Sequence, residues 1–109
     1  MEIKKFPDGS NLTVALIGRI DAVTALELDK NLSASLDGIS DLTVDLAEVE
    51  YVSSAGLRIL LKLQKRMDRQ GAMRIRNIRE NVREVFDMTG FTEFLTIADD
   101  KKAKFSVSF

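Results

Sequence analysis

Two adjacent serines, Ser53 and Ser54, are the best-placed reactive groups in the sequence. They stand between Val49-Glu50-Tyr51-Val52 and Ala55-Gly56-Leu57-Arg58, where leucines begin to recur at helical spacing. A serine oxygen at a helix start accepts from the free N–H groups of the first turn, which makes it a cap. The same amides and the helix dipole favour a bound or covalent phosphate. Gly56 removes a side chain from this turn and lets other groups approach closely. Two roles are therefore open here, a structural cap and a phosphoacceptor.

Other chemistry is poorly supplied. The chain has no cysteine, which excludes disulfides, thiol catalysis and thiolate metal sites. It has no histidine, and so lacks the commonest general base and metal ligand. Asp8, Asp21, Asp41 and Asp45 could pair as carboxylates, but no spacing fixes their geometry. Asp45 as a phosphoacceptor would need paired acids at the end of the first strand to hold a metal, and none stand there. Neither G-x-x-x-x-G-K-[ST] nor G-x-G-x-x-G occurs. With no tryptophan and one tyrosine, stacking platforms for single-stranded nucleic acid are missing too. The expected protein is not an enzyme and carries no cofactor or metal.

The elements that position these groups follow from the pattern. A chain of 109 residues, 45% hydrophobic and 30% charged, fits one domain over 1–109. Residues 2–6 and 11–17 read as strands around a Pro7-Asp8-Gly9-Ser10 turn. Leu12, Val14 and Leu16 alternate with smaller or polar neighbours, and Gly18-Arg19-Ile20-Asp21 ends the second strand. Asp21 can cap a helix over 22–36, whose Ala25, Leu28, Leu32 and Leu36 share a face. Leu42, Val44 and Leu46 form a short strand. A second helix over 55–69 places Leu57, Leu60, Leu61, Gln64 and Met67 along one stripe, widened by Ile59 and Leu63. Ala72 to Asn77 is a strand with Met73 and Ile75 inward. A third helix over 79–88 buries Val82, Val85 and Phe86, and Phe91, Phe94, Leu95 and Ile97 add apolar bulk. Phe105, Val107 and Phe109 alternate as a terminal strand. This order predicts an α/β fold with a mixed sheet and helices on one or both faces.

Charge is unevenly spread although the net charge is −1. Residues 58–83 hold nine basic and two acidic side chains, whereas residues 1–50 hold four basic and ten acidic ones. The asymmetry suits either a partner surface or a solvated face. No apolar stretch approaches ~20 residues, so no membrane span is expected. The start Met-Glu-Ile-Lys-Lys-Phe-Pro lacks the apolar run of a signal peptide, which fits the cytoplasm.

Val49-Glu50-Tyr51-Val52-Ser53-Ser54-Ala55-Gly56-Leu57-Arg58-Ile59-Leu60-Leu61 resembles the signature of STAS domains, in particular of bacterial anti-sigma factor antagonists. Gly18-Arg19-Ile20-Asp21 resembles the family's turn before its first helix. Val44-Asp45-Leu46 resembles its central strand, and the run Val82 to Phe91 its late helix and turn. The resemblance covers about residues 3–98. It implies a four- or five-stranded mixed sheet flanked by three to four helices. It also implies partner switching. Such an antagonist binds an anti-sigma factor, often a serine kinase, and so frees a sigma factor. Phosphorylation of one serine ends binding, and a serine phosphatase restores it. Aligning Gly56-Leu57 with the motif places the phosphoacceptor at Ser54. Ser53, Ala55, Gly56, Leu57 and Arg58 would shape this turn and meet the partner, flanked by Asp21, Ala22 and Val23. Three positions depart from the pattern. Ser53 replaces a common Asp, Ala55 replaces a common Ser or Thr, and the terminal strand stands where the family closes with a helix.

Two other readings compete. One is a scaffold or small-ligand-sensing STAS module whose serines are never modified. The other is nucleic-acid binding through residues 58–83, which no nucleic-acid motif supports. The preferred reading expects no direct nucleic-acid contact, no membrane, and a monomer or weak homodimer.

Overall fold

The structure is a computed structural model and describes residues 1–98. The strand read at Phe105, Val107 and Phe109 lies outside the described residues. In chain order the elements are β1 (Glu2–Asp8), β2 (Asn11–Ile20), α1 (Ala22–Ser35), β3 (Asp41–Val52), α2 (Ser54–Gln70), β4 (Ala72–Arg76), α3 (Glu80–Met88), a 3-10 turn (Phe91–Glu93) and β5 (Ile97–Ala98). They form a five-stranded sheet in the order β1-β2-β3-β4-β5. Only the β1–β2 hairpin is antiparallel; β2 through β5 run parallel.

Alternation in the strands becomes rows across the sheet. Leu12 sits beside Leu42 and Leu42 beside Met73; the next inward row is Val14, Val44 and Ile75. All six are buried. Helices α1 and α2 pack together over this face, since each parallel crossover must return its helix to the same side. α1 contributes Ala25, Leu28 and Leu32, with Leu36 from its C-cap; α2 contributes Leu57, Leu60, Leu63 and Met67. The intervening positions form the opposite face. There Arg74 donates to Asp41 at 2.6 Å and to Thr43 at 3.0 Å.

Four expectations shift. Pro7 lies in β1 opposite Leu12, and the loop is only Gly9-Ser10. Pro7 sits on an edge strand, where the missing N–H deprives no neighbour, and Gly9 supplies the positive φ of 62° that the tight loop needs. The strand at 42–46 extends to Val52. Its alternation fails at Ala47-Glu48 because β3 is bulged. Ala15 to Ile20 is five steps along β2, whereas its partner run Asp45 to Val52 is seven. The fifth strand is Ile97–Ala98, too short for periodicity to announce. Gln64, read as part of an apolar stripe, is a buried polar anchor: it donates to Asp68 at 2.9 Å and accepts from the Thr96 N–H at 3.0 Å. It thereby ties α2 to the approach of β5.

β4 pairs with β3 only over Asp41 to Asp45, so among the described residues the second half of β3 has no strand on that side. α3 covers it. Arg79 Nε donates to the Ala47 carbonyl at 2.9 Å and Asn81 Nδ2 to the Glu50 carbonyl at 3.0 Å. Val82 and Phe86 of α3 are buried, while Val85 is half-buried.

Leu60 is fully buried between α2 and the sheet. Leu60→Ala is expected to cost about 2–5 kcal/mol, because the cavity cannot fully close. Chemical denaturation measures this, and an unchanged midpoint would show that the α2 face is wrongly assigned.

Candidate functional site at two adjacent helix starts

β2 and β3 end together, with Ile20 beside Val52. Each is followed by one capping residue and then a helix. The Ser53 N–H donates to the Ile20 carbonyl at 2.8 Å, which fixes the two caps next to each other. Two helix N-termini therefore open at one edge of the sheet, each with a positive dipole end.

The α1 start is closed by a reciprocal capping box. Asp21 Oδ1 accepts from the N–H groups of Val23 and Thr24, both at 3.0 Å. Thr24 Oγ1 accepts from the Asp21 N–H at 2.9 Å and donates to the Arg19 carbonyl at 2.8 Å. The Thr24 N–H is the largest influence holding the Asp21 carboxyl below its ordinary value. Desolvation opposes it, while the Thr24 hydroxyl, the Val23 N–H and the charge of Arg19 reinforce it. Ala22 and Val23 follow on the exposed side of the first turn.

The α2 start divides labour between its serines. Ser53 is the cap: its Oγ accepts from the Gly56 N–H at 3.2 Å. Ser54 is the first helical residue and is exposed. Its hydroxyl makes no hydrogen bond with another described residue. Sequence alone left both serines as caps or acceptors; the structure occupies one oxygen and leaves the other presented to solvent.

Gly56 and Leu57 are buried, so they do not offer the surface expected of them. They set the position of the turn instead. A Cβ on Gly56 would stand 2.7 Å from Ile20 Cγ2, 3.0 Å from Val52 Cγ1 and 3.2 Å from the Ile20 carbonyl. The first turn of α2 thus lies directly against the end of β2. Ala55 is half-buried and Arg58 is exposed one turn beyond Ser54.

Several neighbours carried no sequence signal of their own. Arg19 and Tyr51 are sheet partners, and the Arg19 guanidinium lies 4.4 Å from the Tyr51 ring centre. This pair stands one residue before Ile20 and Val52, which face α2, and so lies on the other face of the sheet. Thr24 was legible as the third residue after a capping Asp, but it is not the Glu or Gln usual in that box. Leu26 is exposed on α1 beyond Val23. Asp45 is occupied structurally: it accepts from the Ala47 N–H at 2.9 Å and from Asn77 Nδ2 at 3.2 Å.

Comparison with known proteins agrees with this layout. The STAS domain family profile matches residues 2–103. The chain belongs to the STAS domain family. A relative from Bordetella bronchiseptica, BtrV, named as a candidate anti-sigma factor antagonist, is 33% identical over 94 residues, covering 84% of this chain and 81% of that one. The anti-sigma-B factor antagonist of Bacillus subtilis is 28% identical over 90 residues, covering 82% and 83%. Among solved structures, the unphosphorylated anti-sigma factor antagonist SpoIIAA superposes with a TM-score of 0.76 at 15% identity, over 98% of this chain and 96% of that one. That likeness is one of fold. The five-stranded mixed sheet and its helices are thus a STAS architecture.

Two outcomes test this STAS edge. Gly56→Val should destabilise the chain by about 1–3 kcal/mol, since the branched side chain meets Ile20 and Val52 and cannot be housed without moving the turn. Thermal melting reads this, and a wild-type melting curve would remove the close-approach role of Gly56. Asp21→Asn keeps an acceptor but loses the charge. Because the native carboxyl titrates below the unfolded value of 3.8, its ionised form stabilises the fold above that pH. This contribution disappears as pH falls through the native value. Wild type should therefore be more stable than Asp21→Asn at neutral pH, and the gap should close in acid. A gap independent of pH would contradict the assignment.

Proposed function

We propose that this STAS protein is an anti-sigma factor antagonist, a non-enzymatic switch controlled by phosphorylation of Ser54. It binds an anti-sigma factor with serine kinase activity while unmodified. It is released when Ser54 carries a phosphate, and a serine phosphatase resets it. The observation that carries this reading is the division of labour at α2: Ser53 holds the helix start while Ser54 is exposed beside it. A modification at Ser54 leaves the cap intact. The names of BtrV and the Bacillus subtilis relative support the class. SpoIIAA, which has a similar fold, has been solved in both unphosphorylated and phosphorylated forms.

The switch is electrostatic. Unmodified Ser54 offers a small neutral hydroxyl at the edge where exposed Ala22 and Val23 begin α1, a surface another protein can cover. Val23 is 73% exposed, so apolar area is on offer at the same edge. A phosphate adds roughly −1.5 to −2 charges and three acceptor oxygens. The helix dipole tolerates it, so the fold survives. Asp21, kept ionised by its cap bonds, adds to the negative field. A partner shaped to the neutral edge then meets bulk, repulsion and a charge to desolvate, which costs ~2–5 kcal/mol at a buried contact.

Ser54→Asp should melt like wild type yet bind the kinase-type anti-sigma factor at least about tenfold more weakly, near 1.4 kcal/mol. Ser54→Ala should bind but resist phosphorylation. Incubation with that kinase and ATP, followed by phosphopeptide mapping and calorimetric titration, decides both. Phosphate on Ser53 with Ser54 untouched would overturn the residue assignment. Undiminished binding after stoichiometric phosphorylation of Ser54 would overturn the switch.

A further inference from the structure

Helix α2 carries a second surface beyond the Ser54 edge. Its inward row is Leu57, Leu60, Leu63, Gln64 and Met67. On the opposite side Arg58, Leu61, Lys62, Lys65 and Arg69 line a shallow groove. These positions recur every three or four residues, so they form one stripe about 16 Å long, at ~1.5 Å per residue.

Two of the five cations on this side of α2 are already paired. Lys62 pairs with Asp29 of α1 at 2.9 Å, and Arg66 reaches both Asp37 and the Ser33 carbonyl at 2.9 Å. These tie α1 to α2. Arg58, Lys65 and Arg69 have no ion pair with any described residue. The acid nearest in sequence, Asp68, accepts from Gln64 instead. Like charges one turn apart repel along a helix, and of these three only Arg69, in the last turn, complements the dipole of α2. The front half of the chain is acidic, with ten acids to four bases, so the stripe is an island of opposite sign. Half-buried Leu61 lies in its middle.

We infer that the Arg58–Leu61–Lys65–Arg69 stripe is a docking surface for an acidic amphipathic segment of the anti-sigma factor. This rests on the reading of the chain as an antagonist. The charge of the stripe selects an acidic occupant. Leu61 selects one that also offers an apolar side chain, which a nucleic-acid backbone does not supply. Arg58 joins the two surfaces, because it lies one helical turn from Ser54. A phosphate on Ser54 is an i,i+4 neighbour of Arg58 and draws that cation away from the docked segment. Phosphorylation then weakens both ends of the contact.

The test compares wild type with Lys65→Glu/Arg69→Glu in titrations against the anti-sigma factor over a salt series. Lys4→Glu on β1 serves as a charge-reversal control outside the stripe. Both changed side chains are exposed, so circular dichroism and melting should match wild type. The double variant should bind at least about tenfold more weakly at low salt and lose most of its salt dependence, while Lys4→Glu binds normally. Unchanged affinity of the double variant, with Ser54→Asp still defective, would overturn the docking surface and leave the Ser54 switch standing. A random-sequence DNA duplex is the second probe. Tight, stripe-dependent DNA binding without any effect on the anti-sigma factor would overturn the inference in favour of nucleic acid.

Discussion

The absence of a side chain at Gly56 is the constraint on which the functional edge depends. It lets the first turn of α2 rest on Ile20 and Val52, with the space a Cβ would need already filled by Ile20 Cγ2 at 2.7 Å. With the helix that close, the Ser53 N–H reaches the Ile20 carbonyl at 2.8 Å and the Ser53 oxygen reaches back to the Gly56 N–H. The cap fixes Ser54 as the first helical residue. A bulkier residue would push the turn outward and break this chain of contacts at its first link. Packing at one buried position thus decides what is presented at an exposed one.

The sheet makes the same edge a meeting place for two helices. Parallel strands end on the same side, and a right-handed crossover brings the next helix back over the core. The C-terminal edge of β2 and β3 therefore collects both helix starts, each with unpaired amides and a positive end. Asp21 meets this demand at α1 with a charge, and Ser53 meets it at α2 with a neutral oxygen. The bulges of β3 absorb two extra residues so that Ile20 and Val52 still finish level. Without that adjustment, the caps would not be neighbours.

Much of this was legible in the residues. The alternation of Leu12, Val14 and Leu16 and the helical spacing of Leu28, Leu32 and Leu36 fixed which faces are buried. Asp21 was readable as a cap, and the run from Val49 to Leu61 carried the family resemblance. What escaped had no periodic signature. Pro7 looked like a turn residue because its fixed φ suits turns, yet an edge strand accommodates it equally well. The bulged half of β3 was not read as strand because Ala47 and Glu48 break the alternation. Which serine caps α2 turned on one hydrogen bond, which sequence spacing cannot resolve. The burial of Leu57 was implied by its stripe, but its place in the motif suggested surface.

The position of Ser54 inside the helix rather than ahead of it sets a condition on any enzyme that would act on it. Protein kinases that read short linear motifs take their substrates as extended strands, with the backbone drawn across a cleft. Ser54 already has helical backbone geometry, and its neighbours Gly56 and Leu57 are buried in the core. Drawing this segment out would cost the cap and the packing beneath it, much of the stability of a domain this size. An enzyme that modifies Ser54 must therefore recognise the intact three-dimensional edge, including residues from α1 more than twenty positions away in sequence. In the proposed switch, the shape that the partner grips while it is bound is also the shape it must read in order to let go.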